Sequence, residues 1–202
     1  CGAVLMSLEM AGVRVLNVHF GSTHYVWGSI IGIFLAALSF GYYIGGMAAD
    51  RWPRFPVLGF LILLAALCHF LVPQIARPVC EWLAACKDMD PRVQAILGSV
   101  ILYFVPSVLL GTVSPFAVRL AANKVSGIGS VAGRLYALST IGSIVGTFLT
   151  SFYLIEVMGI QNLIYGLGAT LVVAAALTIP PKGKALPLAC ILMMLGGLAP
   201  LA

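Results

Sequence analysis

Long runs of apolar residues, interrupted by few charges, dominate this sequence and restrict what it can fold into. A helix that crosses a lipid bilayer needs roughly 20 consecutive apolar residues. We predict transmembrane spans at 2–20, 26–49, 55–75, 93–122, 131–155, 163–179 and 186–202. The sequence therefore predicts an all-α, polytopic membrane protein with six to seven transmembrane helices, since only helices suit spans of this length.

The overall composition agrees with this interpretation. Hydrophobic residues make up 61% and charged residues 8% of the 202 residues, whereas soluble domains contain about 45–50% and about 25%. The net charge of +5 does not indicate nucleic-acid binding, because the 11 Lys and Arg residues lie singly between apolar runs and form no basic face. The expected partner is the lipid bilayer, and no nucleic-acid partner is expected.

The basic residues also predict the orientation of the spans. Seven of them flank one set of span ends, three flank the other set, and one lies within the first span. The seven are Arg51, Arg54, Arg119, Lys124, Arg134, Lys182 and Lys184, and the three are Arg77, Lys87 and Arg92. Because the more basic side faces the cytoplasm, we predict a cytoplasmic N-terminus in a cell (inner) membrane. On the other side, segment 78–92 forms either a short interfacial helix or a plain tether.

Two ionisable residues, Glu9 and Arg14, lie inside the first predicted span, where charged groups are costly and mark candidate sites. Five residues place them about 140° apart around a helix, so we expect each to meet a partner on another helix. Both are candidate substrate-binding residues. For Glu9 the alternatives are binding of a cation or proton and a packed, hydrogen-bonded glutamate. For Arg14 the alternative to a site role is a structural ion pair, or a side chain that snorkels towards the interface.

Small residues recur at four-residue spacing in the second and fifth spans. Such stripes allow helix backbones to approach closely, and we predict that these two spans form the packing centre of the domain. The stripes are Gly28, Gly32 and Ala36, then Gly41, Gly45 and Ala49, in the second span, and Ser139, Ser143 and Thr147 beside Gly142 and Gly146 in the fifth.

The sequence predicts no catalytic residue, metal site or cofactor in this chain. His69 has no second ligand at metal-binding spacing, and Gly166-Leu167-Gly168 lies within a span, not after a strand as a nucleotide loop requires. Cys80 and Cys86 are about 9 Å apart along a continuous helix, so a disulfide between them requires the segment to bend.

The connection between the second and third spans, Gly46-Met-Ala-Ala-Asp50-Arg51-Trp-Pro-Arg54, resembles the G-x-x-x-D-R-x-G-R loop of the major facilitator superfamily, with Pro53 in place of a glycine. This resemblance implies a fold like half of such a transporter. An acid there can contact helix ends and arginines, while basic residues hold the loop inside. The predicted inner-side motif residues are Gly46, Asp50, Arg51, Arg54, Arg119 and Arg134.

Four stretches in order, at 9–22, 40–51, 110–119 and 133–146, resemble a more specific family. They include Phe40-Gly41-Tyr42-Tyr43-Ile44-Gly45-Gly46 and Leu110-Gly111-Thr-Val-Ser-Pro115-Phe-Ala-Val-Arg119. They are similar to the membrane domain that precedes the catalytic domain in bacterial membrane-bound spermidine synthase-like proteins, the polyamine aminopropyltransferases fused to a major-facilitator-like domain.

This second resemblance implies a function in polyamine biosynthesis. The chain would anchor a cytoplasmic aminopropyltransferase domain that follows residue 202, so the parent protein would be a transferase although this chain alone would not catalyse. A cytoplasmic position for that domain requires either an eighth span after residue 202 or a segment 186–202 that does not cross the membrane. It would also bind or pass polyamine, or else act as a purely structural anchor. A further alternative is a major-facilitator-like half-transporter that works as a homodimer. Because only Glu9 and Glu156 could line a path for a polycation, the sequence favours anchoring over transport.

Overall fold

The computed structural model describes residues 1–86, 88–121 and 128–178, and this part of the chain contains helices and no strand. Its six long helices are α1 (Gly2–Phe20), α2 (His24–Arg51), α3 (Phe55–Ala85), α4 (Pro91–Ala121), α5 (Ile128–Met158) and α6 (Ile160–Thr178). Each is long and apolar enough to cross a membrane. The prediction of an all-α chain with at least six helices of spanning length is confirmed. The predicted span 186–202 and Lys87, Lys124, Lys182 and Lys184 lie outside the described residues.

The helices alternate in direction along the chain. Helices α2 and α4 run parallel, because Tyr25 meets Arg92 near their first residues and Asp50 meets Arg119 near their last. Helix α1 lies antiparallel to α4 and parallel to α5. We call the end of the bundle that carries Arg51, Arg54, Arg119 and Arg134 the basic end.

Local sequence signals fix the turns at the opposite end. Gly21 and Gly159 end α1 and α5 with positive φ angles of 80° and 72°, a conformation that glycine adopts without steric cost. Asp90 caps α4, since its carboxylate accepts a 2.8 Å hydrogen bond from the backbone N–H of Arg92, and Pro91 occupies the first helical position.

The expectation of a separate interfacial helix or tether at 78–92 is wrong for residues 78–85, because α3 continues unbroken past Pro78 and ends at Ala85. Prolines are tolerated within membrane helices when neighbouring helices compensate for the lost hydrogen bond. Two contacts hold the extension. Arg77 and Glu81 form an ion pair of 2.7 Å one turn apart, and Leu83 is fully buried.

The continuous helix also bears on whether two cysteines can form a disulfide. Cys80 is buried and Cys86 is partly buried, and both are free thiols. Because no bend brings their backbones together, a disulfide between them does not form.

The small-residue stripe of α2 is divided between two surfaces. Gly41 and Gly45 pack against α4, where a Cβ on Gly45 would lie 2.6 Å from the Cα of Thr112. At Gly28 and Gly32 a Cβ would meet nothing within 4 Å. The first half of the stripe is therefore open, and the second half holds α4.

The prediction that the second and fifth spans form the packing centre is wrong. Helix α5 packs mainly on α1, where a Cβ on Gly146 would lie 2.7 Å from the Cα of Ala3. The hydroxyl of Thr150 also donates a 2.7 Å hydrogen bond to that of Ser7. Each stripe thus serves a different partner helix, and α5 is the least buried of the six described helices.

Two helices contain a wide, π-helical turn, at Val100–Phe104 in α4 and at Thr150–Leu154 in α5. The first of these comes immediately before Pro106, which has no backbone N–H to donate. A wider turn shifts the hydrogen-bonding pattern by one residue, so α4 continues through the proline to Ala121.

Candidate functional site

A cavity opens at the basic end, between α1, α2, α4 and α5. It consists of two adjoining clefts of about 390 and 320 Å³, a size typical of small-molecule sites. Its lining residues are Cys1, Gly2, Ala3, Leu5, Met6, Leu38, Tyr42, Leu110, Val113, Ser114, Ala117, Leu135, Tyr136, Leu138, Ser139, Thr140, Gly142 and Ser143. We call this the basic-end cavity.

The walls of the basic-end cavity combine apolar side chains with hydroxyl groups. Leu5, Leu38 and Leu110 supply apolar surface from three helices, and serines, a threonine and two tyrosines supply the hydroxyls. The tyrosines, Tyr42 of α2 and Tyr136 of α5, are both exposed at the cavity. The walls can therefore hold an alkyl chain and accept hydrogen bonds along it.

Glu9 lies on the α1 face that looks into the gap between α4 and α5. On one side of this face Gly12 packs on Tyr103 of α4, and a Cβ on Gly12 would lie 3.1 Å from the tyrosine ring. On the other side Gly2 packs on Ser139 of α5, and a Cβ on Gly2 would lie 2.8 Å from the serine hydroxyl oxygen. At about 100° per residue the direction of Glu9 falls between those of the two glycines. Glu9 thus lies on this face about one turn of α1 beyond Leu5, and it is not among the residues that line the two clefts.

The expectation that Glu9 and Arg14 each meet a polar partner finds no support within the described ranges. Neither side chain has an ion pair or hydrogen bond there. Glu9 is partly buried, whereas Arg14 is exposed and points about 140° around α1 from Glu9. The two candidate residues are therefore not brought together, and Arg14 has the exposure expected of a side chain that snorkels towards the interface.

One ion pair links two of the predicted inner-side motif residues. Nε of Arg119 lies 3.2 Å from Oδ1 of Asp50, so the pair joins the last turns of α2 and α4. Both side chains are about half exposed or more, which limits the pair to roughly 0–1 kcal/mol.

The other motif residues lie apart from this pair. Arg51 stacks over the ring of Trp52 at 5.2 Å, and Arg54 precedes the first turn of α3. Arg134 is exposed on α5, and Gly46 faces open space. The motif thus forms one interhelical contact at the basic end and leaves its other cations on the surface.

Several buried polar atoms have no hydrogen-bond partner in the part of the chain that the structure describes. They are Asn17 Oδ1, His69 Nε2, Tyr103 OH and Ser107 Oγ. His69 is fully buried and its Nδ1 lies 2.7 Å from the carbonyl oxygen of Ala65. Among the described residues no three His, Cys, Asp or Glu side chains converge as a metal site would require.

Sequence reasoning missed most residues of the basic-end cavity. Ser139 and Ser143 were interpreted as packing residues, and Tyr42 and Tyr136 were noted only as members of stretches that carry a resemblance. The available signal was the serine pair at four-residue spacing on a helix facing the glutamate of α1. It could not be used because the sequence does not say which helices are neighbours.

Together these features define a helical membrane protein with a hydroxyl-lined cavity at its basic end. The chain matches no family model, no curated protein and no solved structure.

Proposed function

We propose that this chain is the membrane domain of a spermidine synthase-like protein. In this role it anchors a cytoplasmic aminopropyltransferase domain in the cell (inner) membrane, and it binds or passes polyamine. The order and spacing of the four resembling stretches motivate the proposal, and the six helices of spanning length agree with it.

One observation carries the anchoring role: the last described residue, Thr178, returns to the same end of the bundle as the start of α1. Six alternating helices produce this result. That end is the basic end, and basic residues favour the cytoplasmic side. In the proposed orientation, the chain after α6 starts on the side where a soluble enzyme meets its metabolites.

The inner-side contacts are compatible with the proposed likeness to half of a major facilitator transporter. The Asp50–Arg119 pair, at 3.2 Å, fastens the end of α2 to α4 next to the resembling loop. It gives Asp50 the arginine contact that the loop resemblance led us to expect.

The anchoring role is tested on native membranes. An antibody raised against this chain should detect a protein larger than 21.3 kDa by a whole enzyme domain. Depleting a detergent extract with the antibody should remove spermidine formation from 1,4-diaminobutane and decarboxylated S-adenosylmethionine, whereas depletion with an unrelated antibody should not. A band near 21.3 kDa, with undiminished synthesis after depletion, would overturn the anchoring role.

A second candidate function, a half-transporter that works as a homodimer, is favoured by the open face of α2. Gly28 and Gly32 face open space, and such glycines let another membrane helix approach closely. In this case Gly32→Leu should shift the mass of the protein in lipid nanodiscs from dimer to monomer and abolish solute uptake. A monomer in the wild type would remove this candidate.

A further inference from the structure

Two polar groups without partners lie on α1 and α4, deeper in the bundle than the residues that line the basic-end cavity. Glu9 is partly buried in the middle of α1, with no ion pair or hydrogen bond inside the described ranges. A carboxylate in such a position is costly unless something of opposite charge or a hydrogen-bond donor accompanies it.

The second group is the hydroxyl of Ser107 on α4, which is fully buried and has no hydrogen-bond partner. Ser107 lies four residues after Tyr103, which packs on α1, and seven residues before Ser114, which lines the cavity. In the regular part of α4, residues seven apart share one helix face. Ser107 therefore lies on the same face as Ser114, two turns farther from the basic end.

The pairing of α1 with α4 puts both groups at the same depth. The two helices are antiparallel, with Gly12 against Tyr103 and, nearer the basic end, Leu5 and Leu110 both lining the cavity. Between these two levels, Glu9 falls opposite the turn of α4 that contains Ser107. The Cα of Glu9 thus lies about 6 Å, or four residues of helix rise, beyond that of Leu5.

The donor set selects the chemistry of a ligand. A carboxylate and a hydroxyl supply three oxygen atoms, whereas calcium takes six to eight oxygen ligands and an anion would be repelled by Glu9. An ammonium group has three N–H donors and one positive charge, which suit these acceptors. Beyond them the cavity offers the leucine walls for methylene groups and two tyrosine rings, which attract cations.

We propose that Glu9 and Ser107 form a binding site for the ammonium group of a primary alkylamine. The alkyl chain lies along Leu5 and Leu110 towards Tyr42 and Tyr136. This inference deepens the polyamine-binding part of the proposed function and rests on it for the biological ligand. The site itself requires only the residues named here.

The test measures binding of radiolabelled 1,4-diaminobutane to the full chain in lipid nanodiscs. We expect Glu9→Gln to weaken binding about 100-fold, because the ammonium would lose a partner of opposite charge away from water. Ser107→Ala should weaken it by about tenfold or more, by the loss of one hydrogen bond to a charged group. n-Butylamine should compete for the site, and n-butanol should not.

Two matched variants separate these effects from general disturbance. Glu156→Gln makes the same chemical change at a glutamate that is exposed near the end of α5 opposite the basic end and is not among the lining residues of the cavity. Ser99→Ala removes a buried hydroxyl of α4 that bonds only its own helix, to the carbonyl of Ala95. Neither should change the dissociation constant more than twofold. If Glu9→Gln lowers helicity or monodispersity, amine binding is measured with Glu9→Asp and Ser107→Ala instead.

The proposal is overturned by an absence of saturable binding, by equal affinity of wild type and Ser107→Ala, or by equal competition from n-butanol and n-butylamine. These outcomes leave the anchoring role untouched, because that role is read from the mass and activity of native membranes. Conversely, loss of the anchoring role would leave a measured amine site intact.

Discussion

The contact between α2 and α4 can be tested with two adjacent glycines. Gly45 packs directly on α4, where a Cβ would lie 2.6 Å from the Cα of Thr112 and 2.9 Å from Cγ of Pro115. At Gly46, the next residue of the same helix, a Cβ would meet nothing within 4 Å. Gly45→Ala and Gly46→Ala therefore make the same chemical change in the same helix, but only the first creates a collision.

The expected difference follows from two terms. Alanine favours a helix over glycine by about 1 kcal/mol, and this term is the same in both variants. Forcing a methyl group against the backbone of Thr112 costs about 1–3 kcal/mol, since a packed backbone has little room to move. Gly45→Ala should therefore be about 1–3 kcal/mol less stable than Gly46→Ala, which is about 5- to 150-fold in the unfolding equilibrium.

The measurement is reversible unfolding in mixed micelles, with increasing sodium dodecyl sulfate and helicity as the signal. Comparing the two variants with each other, as well as with the wild type, cancels the helix-propensity term. Equal stability of Gly45→Ala and Gly46→Ala would show that α2 and α4 do not approach as described, and the reasoning would fail.

Three further predictions concern single contacts. In a double-mutant cycle of Asp50→Asn and Arg119→Gln, the coupling should be at most about 1 kcal/mol, because the pair is exposed; a coupling of several kcal/mol would contradict this. Thr150→Val, which removes a hydroxyl bond to α1, should lower the free energy of unfolding by about 0.6–1.7 kcal/mol, and an unchanged unfolding curve would refute it. A thiol reagent should modify Cys86 before the fully buried Cys80 under native conditions, as read by peptide mass spectrometry, and modification of both at one rate would argue against the packing of α3.

The positions of the helices along the chain were predicted better than the way the helices pair. Runs of apolar residues determine where a chain can cross lipid, so six described helices coincide with the first six predicted spans. The extension of α3 beyond Pro78 was missed because the span was ended where Arg77 and Pro78 interrupt the apolar run. In the folded chain Leu83 is fully buried in the extension, while the exposed Arg77–Glu81 pair adds at most about 1 kcal/mol.

Helix pairing could not be derived from the small-residue stripes. A stripe shows that a helix permits close approach, but it carries no information about which helix approaches. Gly45 meets α4 and Gly146 meets α1, although the two stripes look alike in sequence.

The candidate site was predicted in one residue, Glu9, because a carboxylate within a span is conspicuous. Its surroundings depend on the angle of α1 relative to α4 and α5, which the sequence does not specify. Ser107 carried no signal at all, since a serine in a membrane helix ordinarily bonds to its own backbone, as Ser99 does.

The wide turns of α4 and α5 have a consequence for how these helices can change length. Each holds one residue more than a regular turn would, at Val100–Phe104 and Thr150–Leu154. Deleting one residue there would restore a regular turn and leave both flanking faces in register. The same deletion between Gly142 and Gly146 would rotate the later side chains of α5 by about 100° around the helix axis. The residues that contact α1 would then point away from it. Over evolutionary time, insertions and deletions in these two helices should therefore accumulate at the wide turns.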